Sequence, residues 1–286
     1  MTVVNTPNRI STHDGRYAPS PTGPLHLGNL RTAVLAWLCA RTGGGRFVVR
    51  IEDLDGGRVV PGMAEQQLDD LAALGLTWDE PPLIQSHRGH HYRDAIATLT
   101  TQGRVYPCFC SRAEIRMAAS APHGPAPEGA YPGTCRSIPP EHAAERVARG
   151  DAHCLRVAAD AEQVEFVDRI MGPVQAVVDD MVLVRRDGDI AYNLAVVVDD
   201  AAQQIGEVVR GDDLAFSTPR QLWLARALGI AEPAHHAHVP LVLGPDGSRL
   251  AKRHGGVTLA EWVADGRTAS DLLAWIATSL DLAAAS

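Results

Sequence analysis

Between Arg16 and Asn29 the chain reads RYAPSPTGPLHLGN. No other stretch limits the possible folds as strongly. Arg16 to Ala18 has the character of a short strand, and the prolines and glycines that follow break both strand and helix. Leu30 to Arg41 then carries Leu30, Val34, Trp37 and Leu38 on one helical face, until Gly43-Gly44-Gly45 stops it. Arg46 to Ile51, RFVVRI, is predicted as the next strand. Strand, loop, helix and strand in this order predict an α/β chain built on a parallel sheet.

A Pro/Gly-rich loop that runs into a helix start presents unpaired backbone N–H groups and the positive end of the helix dipole. That is a site for phosphate. His26, with Gly28 and with Asn29 one turn along, can add donors aimed at a triphosphate. The same four residues, HLGN, also suit a plain turn with a capping histidine, and at this level both readings stand.

Among the 26 basic residues of the 286-residue chain, Lys252 is the only lysine. A chain that has drifted almost wholly to arginine and keeps one ammonium points to a task that arginine does not perform. Lys252 lies in GPDGSRLAKRHGG, Gly244 to Gly256, whose glycines predict a mobile loop able to close over a nucleotide and neutralise phosphate charge. The net charge of -8 is the wrong sign for binding nucleic acid over the whole surface, so an RNA partner requires a local basic patch. Met1 to Ser11 has no apolar run behind a basic start, and Ala33 to Ala40 is too short to span a bilayer. These features, with five cysteines, predict a cytoplasmic protein with free or metal-bound thiols and no membrane contact.

Further helices are predicted at Met63 to Leu74, Tyr92 to Gln102, Pro219 to Leu228 and Ser270 to Leu280. Strands are predicted at Val164 to Ile170, Met181 to Arg186 and Ala191 to Val198. From Tyr106 to about Pro140 the periodicity fails and cysteine, proline and small residues dominate, which predicts an inserted subdomain. There Cys108, Cys110 and Cys135, with Tyr131 (YPCFC … YPGTC), offer three thiolates and a phenolic oxygen for a tetrahedral zinc site. Buried apolar thiols are the competing reading. Cys39 and Cys154 are expected to be core residues. Glu52 follows the RFVVRI strand, where a carboxylate can hold an ammonium or merely cap a turn. Tyr192 and Arg210 fall near predicted strand ends and suit recognition of a carboxylate.

In one order along the chain, RYAPSPTGPLHLGN, RIEDLD, AYNLAVVVDD, VVRGDD and RLAKRHG resemble the blocks of the glutamyl-tRNA synthetase family of class I synthetases. The resemblance runs from about Arg16 to Gly256. It implies a Rossmann-like catalytic domain, with His26 to Asn29 in the first signature slot and Arg249 to Arg253 in the second. The cysteine insertion is similar to the zinc site of a truncated branch, the glutamyl-queuosine tRNA(Asp) synthetases. On this resemblance an anticodon-binding half is absent and only short helices follow the second signature.

Position by position, the resemblance implies that Arg16, Tyr17, Ala18, Pro19, Ser20 and Glu52 hold glutamate, with Tyr192 and Arg210 on its side-chain carboxylate. It implies ATP on His26, Gly28, Asn29 and Lys252, with His26 and Lys252 catalytic and Mg²⁺ on the phosphates. Cys108, Cys110, Tyr131 and Cys135 would bind one zinc ion. The implied division is 1–105 for the first catalytic half, 106–163 for the insertion and 164–286 for the second half. A monomer is expected, with ATP, L-glutamate and queuosine-bearing tRNA(Asp) as partners. Arg249 and Ala251 depart from the usual lysine and serine of the second signature, which bears on rate. A ligase with another acceptor, or a non-catalytic binder of glutamate or tRNA, would share most of these features. Intact His26 and Lys252 argue against the binder, which has no need of groups that act mainly in a transition state.

Overall fold

The computed structural model describes residues 11–119, 131–242 and 257–280. The chain opens with β1 (Gly15–Tyr17), α1 (Leu27–Thr42), β2 (Phe47–Ile51), α2 (Met63–Ala73) and β3 (Leu83–Ile84). Next come α3 (Gly89–Thr101), β4 (Val105–Cys108), α4 (Arg112–Ala119), α5 (Pro140–Ala148) and β5 (Cys154–Val157). β6 (Gln163–Asp168), β7 (Gly172–Val177), β8 (Met181–Val184), α6 (Tyr192–Ala202) and β9 (Glu207–Gly211) follow. The described chain closes with α7 (Thr218–Leu228), β10 (His235–Val239), α8 (Leu259–Ala264) and α9 (Ala269–Ser279). Among the described residues no helix is long and apolar enough to cross a membrane.

Two compact units divide the chain. The first takes Met1–Ile84, Gln203–Asp213 and Pro233–Ser286. Its strands run in the order β3-β2-β1-β9-β10, every neighbouring pair parallel. Every residue of β2 is buried, as a strand covered on both faces requires. Its Arg50 is fully buried and survives there because Glu52 Oε1 (3.1 Å) and Gln203 Oε1 (3.0 Å) accept from its guanidinium. Leu30, Val34, Phe47, Ile51 and Leu71 share one apolar core with Leu259, Trp262, Leu272 and Ile276 of the two last helices.

The second unit takes Gln85–Ala202 and Leu214–Glu232. It contains an antiparallel sheet, β4-β5-β8, and the antiparallel hairpin β6–β7. The strand expected over Ala191 to Val198 is instead part of α6, so Tyr192 opens a helix. The run Val196-Val197-Val198 favours a strand by intrinsic preference, but such preferences span only about 1 kcal/mol and packing overrides them. Leu194, Ala195, Val196, Val197, Asp199 and Asp200 are all buried, so burial on several faces hides the helical period. Asp199 anchors α6, accepting from Gln85 Nε2 (2.8 Å), Arg88 Nε (2.6 Å) and Tyr92 Oη (2.8 Å).

Candidate active site and metal cluster

In the first unit the chain leaves β1 through α1 toward β2 on one side, while β9 and β10 extend the sheet on the other. Between β1 and β9 the strand order reverses, and ligands of open α/β sheets bind in the crevice outside the carboxyl ends of such strands. Five features named from the sequence converge on that edge. The loop after β1 carries Ala18 to Ser20. Glu52 follows β2 directly, and its N–H donates to Pro19 O (2.9 Å). Arg16 is buried in β1 and donates through Nη1 to Val209 O of β9 (3.4 Å). Arg210 is next along β9. His26 begins α1.

The α1 start is a reciprocal cap. His26 Nδ1 accepts from Asn29 N, and Asn29 Oδ1 accepts from His26 N, both at 3.3 Å. The capping reading of HLGN is therefore correct, and it does not compete with the chemical one. With Nδ1 held as an acceptor, the neutral ring carries its proton on Nε2, which is then a donor. A Cβ at Gly28 would lie 3.0 Å from His26 Cε1, so a larger residue there would press on that ring. Burial pushes the Tyr17 phenol up, so it stays protonated inside the core.

Arg210 donates through Nε to His238 Nε2 (3.1 Å), its direct register partner on β10. Both side chains are buried, and His236 stacks beside His238 with the ring planes 4° apart. Gln67 on α2 is also buried and gives its amide hydrogens to Ser20 O (3.1 Å) and Gly23 O (2.7 Å). Sequence reasoning passed over Gln67 and His238. For Gln67 the signal was present, a polar residue on the helix stripe formed with Ala64, Leu71 and Leu74.

Lys252, like Arg249 and Ala251, lies outside the described residues. The flanks of its loop are described, and both meet the start of α1. Leu27 N donates to Val257 O (2.9 Å), and His26 bridges to Thr258. On the other flank, a Cβ at Gly28 would touch Val242 Cγ2 at 3.7 Å. Tyr192 lies in the second unit, 40% exposed at the head of α6.

In the second unit Cys108, Cys110 and Cys135 bring their sulfurs within 4.8 Å of one another, a group able to hold a metal ion. Tyr131 Oη stands 3.3 Å from Cys108 Sγ and 3.9 Å from Cys110 Sγ, and accepts from Cys135 N (2.8 Å). Three soft sulfurs and one phenolic oxygen suit a closed tetrahedral site. Cys154 is buried, as expected of a core residue. It also pairs with Cys108 across β4 and β5. The hydrogen bond from Cys154, then those from Tyr131 and Arg156, pull the Cys108 thiol down to about 4. Arg156 itself lies 3.8 Å over the Tyr131 ring. Burial, followed by the hydrogen bond with Cys135, pushes Cys110 up to about 11. Cys39 sits half-buried in α1, packed against the core of the first unit.

The family model for class I tRNA synthetases (E and Q), catalytic domain, matches residues 14–275. The chain belongs to that family. It is 56% identical over 268 residues to the glutamyl-Q tRNA(Asp) synthetase of Nocardia farcinica, covering 94% of this chain and 85% of the relative. It is 55% identical to that of Symbiobacterium thermophilum, covering 86% and 80%. Among solved structures, a glutamate tRNA ligase from Elizabethkingia meningosepticum in complex with its amino acid superposes with a TM-score of 0.78 at 30% identity. That match covers 92% of this chain and 59% of the ligase, so the chain spans about three fifths of that structure's length. The α/β fold with its parallel sheet is therefore that of the family.

Proposed function

We propose that this protein activates glutamate with ATP and transfers it to the queuosine base at the wobble position of tRNA(Asp), acting as a cytoplasmic monomer. The observation that carries this reading is one crevice with two chemically distinct ends. One end, made by the loop after β1 with Glu52 and Arg210, offers a carboxylate and a guanidinium. It suits an amino acid with an ammonium and a second carboxylate. The other end, the capped start of α1, offers the positive end of the helix dipole and the His26 Nε2 proton to phosphates.

In this reading Arg16, Tyr17, Ala18, Pro19 and Ser20 wall the amino acid. Glu52 takes its ammonium, while Arg210 reads its side-chain carboxylate. Glu52 also accepts from buried Arg50, which holds its carboxylate in place before substrate arrives. A carboxylate oxygen of glutamate attacks the α-phosphorus. The bond to the bridging oxygen breaks, and pyrophosphate leaves with that electron pair. His26, Gly28, Asn29 and Lys252 hold the phosphates against the charge that develops, a matter of position and electrostatics. Mg²⁺ accompanies ATP and shares that charge. A queuosine hydroxyl then attacks the mixed anhydride, its proton is lost, AMP leaves and an ester forms. Cys108, Cys110, Tyr131 and Cys135 would hold one zinc ion, which crosslinks segments distant in sequence and takes no part in these steps.

The test is glutamate-dependent exchange of labelled pyrophosphate into ATP, with and without tRNA, and with aspartate and glutamine as controls. Exchange with glutamate alone is expected. Lys252→Ala should lower the exchange rate by about a hundredfold or more while ground-state glutamate binding changes little. Folded, metal-loaded protein that exchanges nothing in either condition would remove the reading.

A further inference from the structure

The loop after β1 is held with its carbonyls turned into the protein. Pro19 O accepts from Glu52 N (2.9 Å) and Pro21 O from Val60 N (2.9 Å). Ser20 O and Gly23 O accept from the amide of Gln67, and Ser20 O accepts also from Thr22 N (2.8 Å). Three of these five donors are backbone groups that any sequence would supply. The other two belong to one side chain, 1% exposed, on a helix whose only other buried residue is Leu71.

Gln67 is a poor choice for packing alone. Its Oε1 is buried and has no partner among the described residues, a desolvation loss that a leucine or methionine would avoid. What the amide provides in exchange is two donors on one group, matched to two carbonyls three residues apart. In the proposed function an anion would lie against this loop, and a carbonyl swung toward it would repel it. We infer that Gln67 is a positioning residue for the first activation step, a clamp that keeps the Ser20 and Gly23 carbonyls turned away from the glutamate and the phosphates. This rests on the function proposed above for the loop. It adds a residue that none of the signature blocks contains.

Two variants and two measurements test it. Gln67→Met keeps the length and volume of the side chain and removes both donors. Leu71→Ala, one turn along, loosens the same helix and leaves the clamp in place. Glutamate-dependent exchange by Gln67→Met should show kcat/KM for glutamate lowered about tenfold to a hundredfold, the range expected when a loop shifts by about 1 Å. Leu71→Ala, though less heat-stable, should keep its KM for glutamate. Backbone hydrogen exchange gives the readout that needs no activity. Gln67→Met should speed exchange in a peptide spanning residues 18–25, whereas Leu71→Ala should speed it only along α2.

The clamp is refuted if that peptide exchanges in Gln67→Met as it does in the wild type. It is equally refuted if both variants lose kcat/KM in proportion to their loss of thermal stability. Should the wild type itself activate no glutamate, the proposed function fails, and the hydrogen-exchange arm still decides whether Gln67 holds the loop.

Discussion

At the edge of the parallel sheet, Arg16 and Arg210 lie within buried strands, and Glu52 is bonded to the loop across from it by a backbone hydrogen bond. In the cysteine cluster only Cys108 belongs to a strand, as the last residue of β4. Cys110 and Tyr131 lie outside regular structure, and Cys135 sits in a single 3-10 turn, Thr134–Ser137. The crevice takes its geometry from a hydrogen-bonded sheet, and its charged groups are hydrogen-bonded inside the protein, Glu52 to Arg50 and Arg210 to His238. The cluster gathers acceptor-rich sulfurs whose convergence the backbone alone supports weakly. One region is held by its own hydrogen bonds, and the other is a group of sulfurs able to hold a cation.

The largest effect should therefore come from the metal. Purified protein is expected to carry one zinc ion per chain by atomic emission. Removing it with a strong chelator, or by Cys135→Ser, should open the region around β4, β5 and β8 to trypsin at Arg112, Arg136 and Arg146. The loss would be several kcal/mol, below the apparent figure of about 10–16 kcal/mol for structural zinc in small peptides. A chelated protein that unfolds at the wild-type urea concentration would break the contrast, because the cluster would then be as self-supporting as the sheet.

The converse prediction concerns the crevice. Arg50→Met removes a fully buried cation and the hydrogen bond it gives to Glu52, itself 10% exposed. Breaking a buried pair from one side typically costs about 3–5 kcal/mol. The expected result is a lower urea midpoint with zinc content unchanged, together with a higher KM for glutamate, since the Glu52 carboxylate would lose the guanidinium that holds it in place. If the unfolding free energy stays within about 0.5 kcal/mol of the wild type, the range of a neutral surface change, the buried pair is not what holds this edge.

Legibility in the sequence followed the same line. The β1–α1–β2 unit was readable because prolines, glycines and a clean helical face punctuate it, and the four cluster residues because cysteines are rare enough to stand out. β10 was not readable. Its sequence, HHAHV, looks like exposed loop, yet His236 and His238 are buried in a parallel strand, and the Arg210–His238 bond that makes this tolerable joins residues 28 apart in sequence. α6 was misread because burial on several faces erased its period, and Asp199, which fixes it, gathers donors from more than a hundred residues away. The β6–β7 hairpin turns on Asp168, whose Oδ1 accepts from the N–H groups of Ile170 and Met171. That turn is local, and DRIMG could have announced it. Gln67 was visible as a polar residue out of place, but only the loop carbonyls say why.

The smallest effect separates capping from chemistry within the crevice unit. α1, α8 and α9 all begin with reciprocal boxes: His26 with Asn29, Thr258 with Glu261, and Thr268 with Asp271. Thr268→Ala should cost about 1 kcal/mol, the usual value of a lost N-cap, and leave pyrophosphate exchange untouched. His26→Ala should cost a similar amount of stability yet lower exchange by orders of magnitude, because the proposed function puts the phosphates against that cap. The Asp271 carboxyl is held below its usual range by the Thr268 hydroxyl and then by the Thr268 N–H. A depressed folded pKa adds stability that is fully present above the unfolded value of about 3.9 and is lost as the pH falls through the folded one. The difference in urea midpoint between wild type and Asp271→Ala should therefore be open at about pH 6 and narrow toward about pH 3. A difference that stays constant over that range would mean that the α9 cap works through its hydroxyl alone. The charge in the box would then be incidental to it.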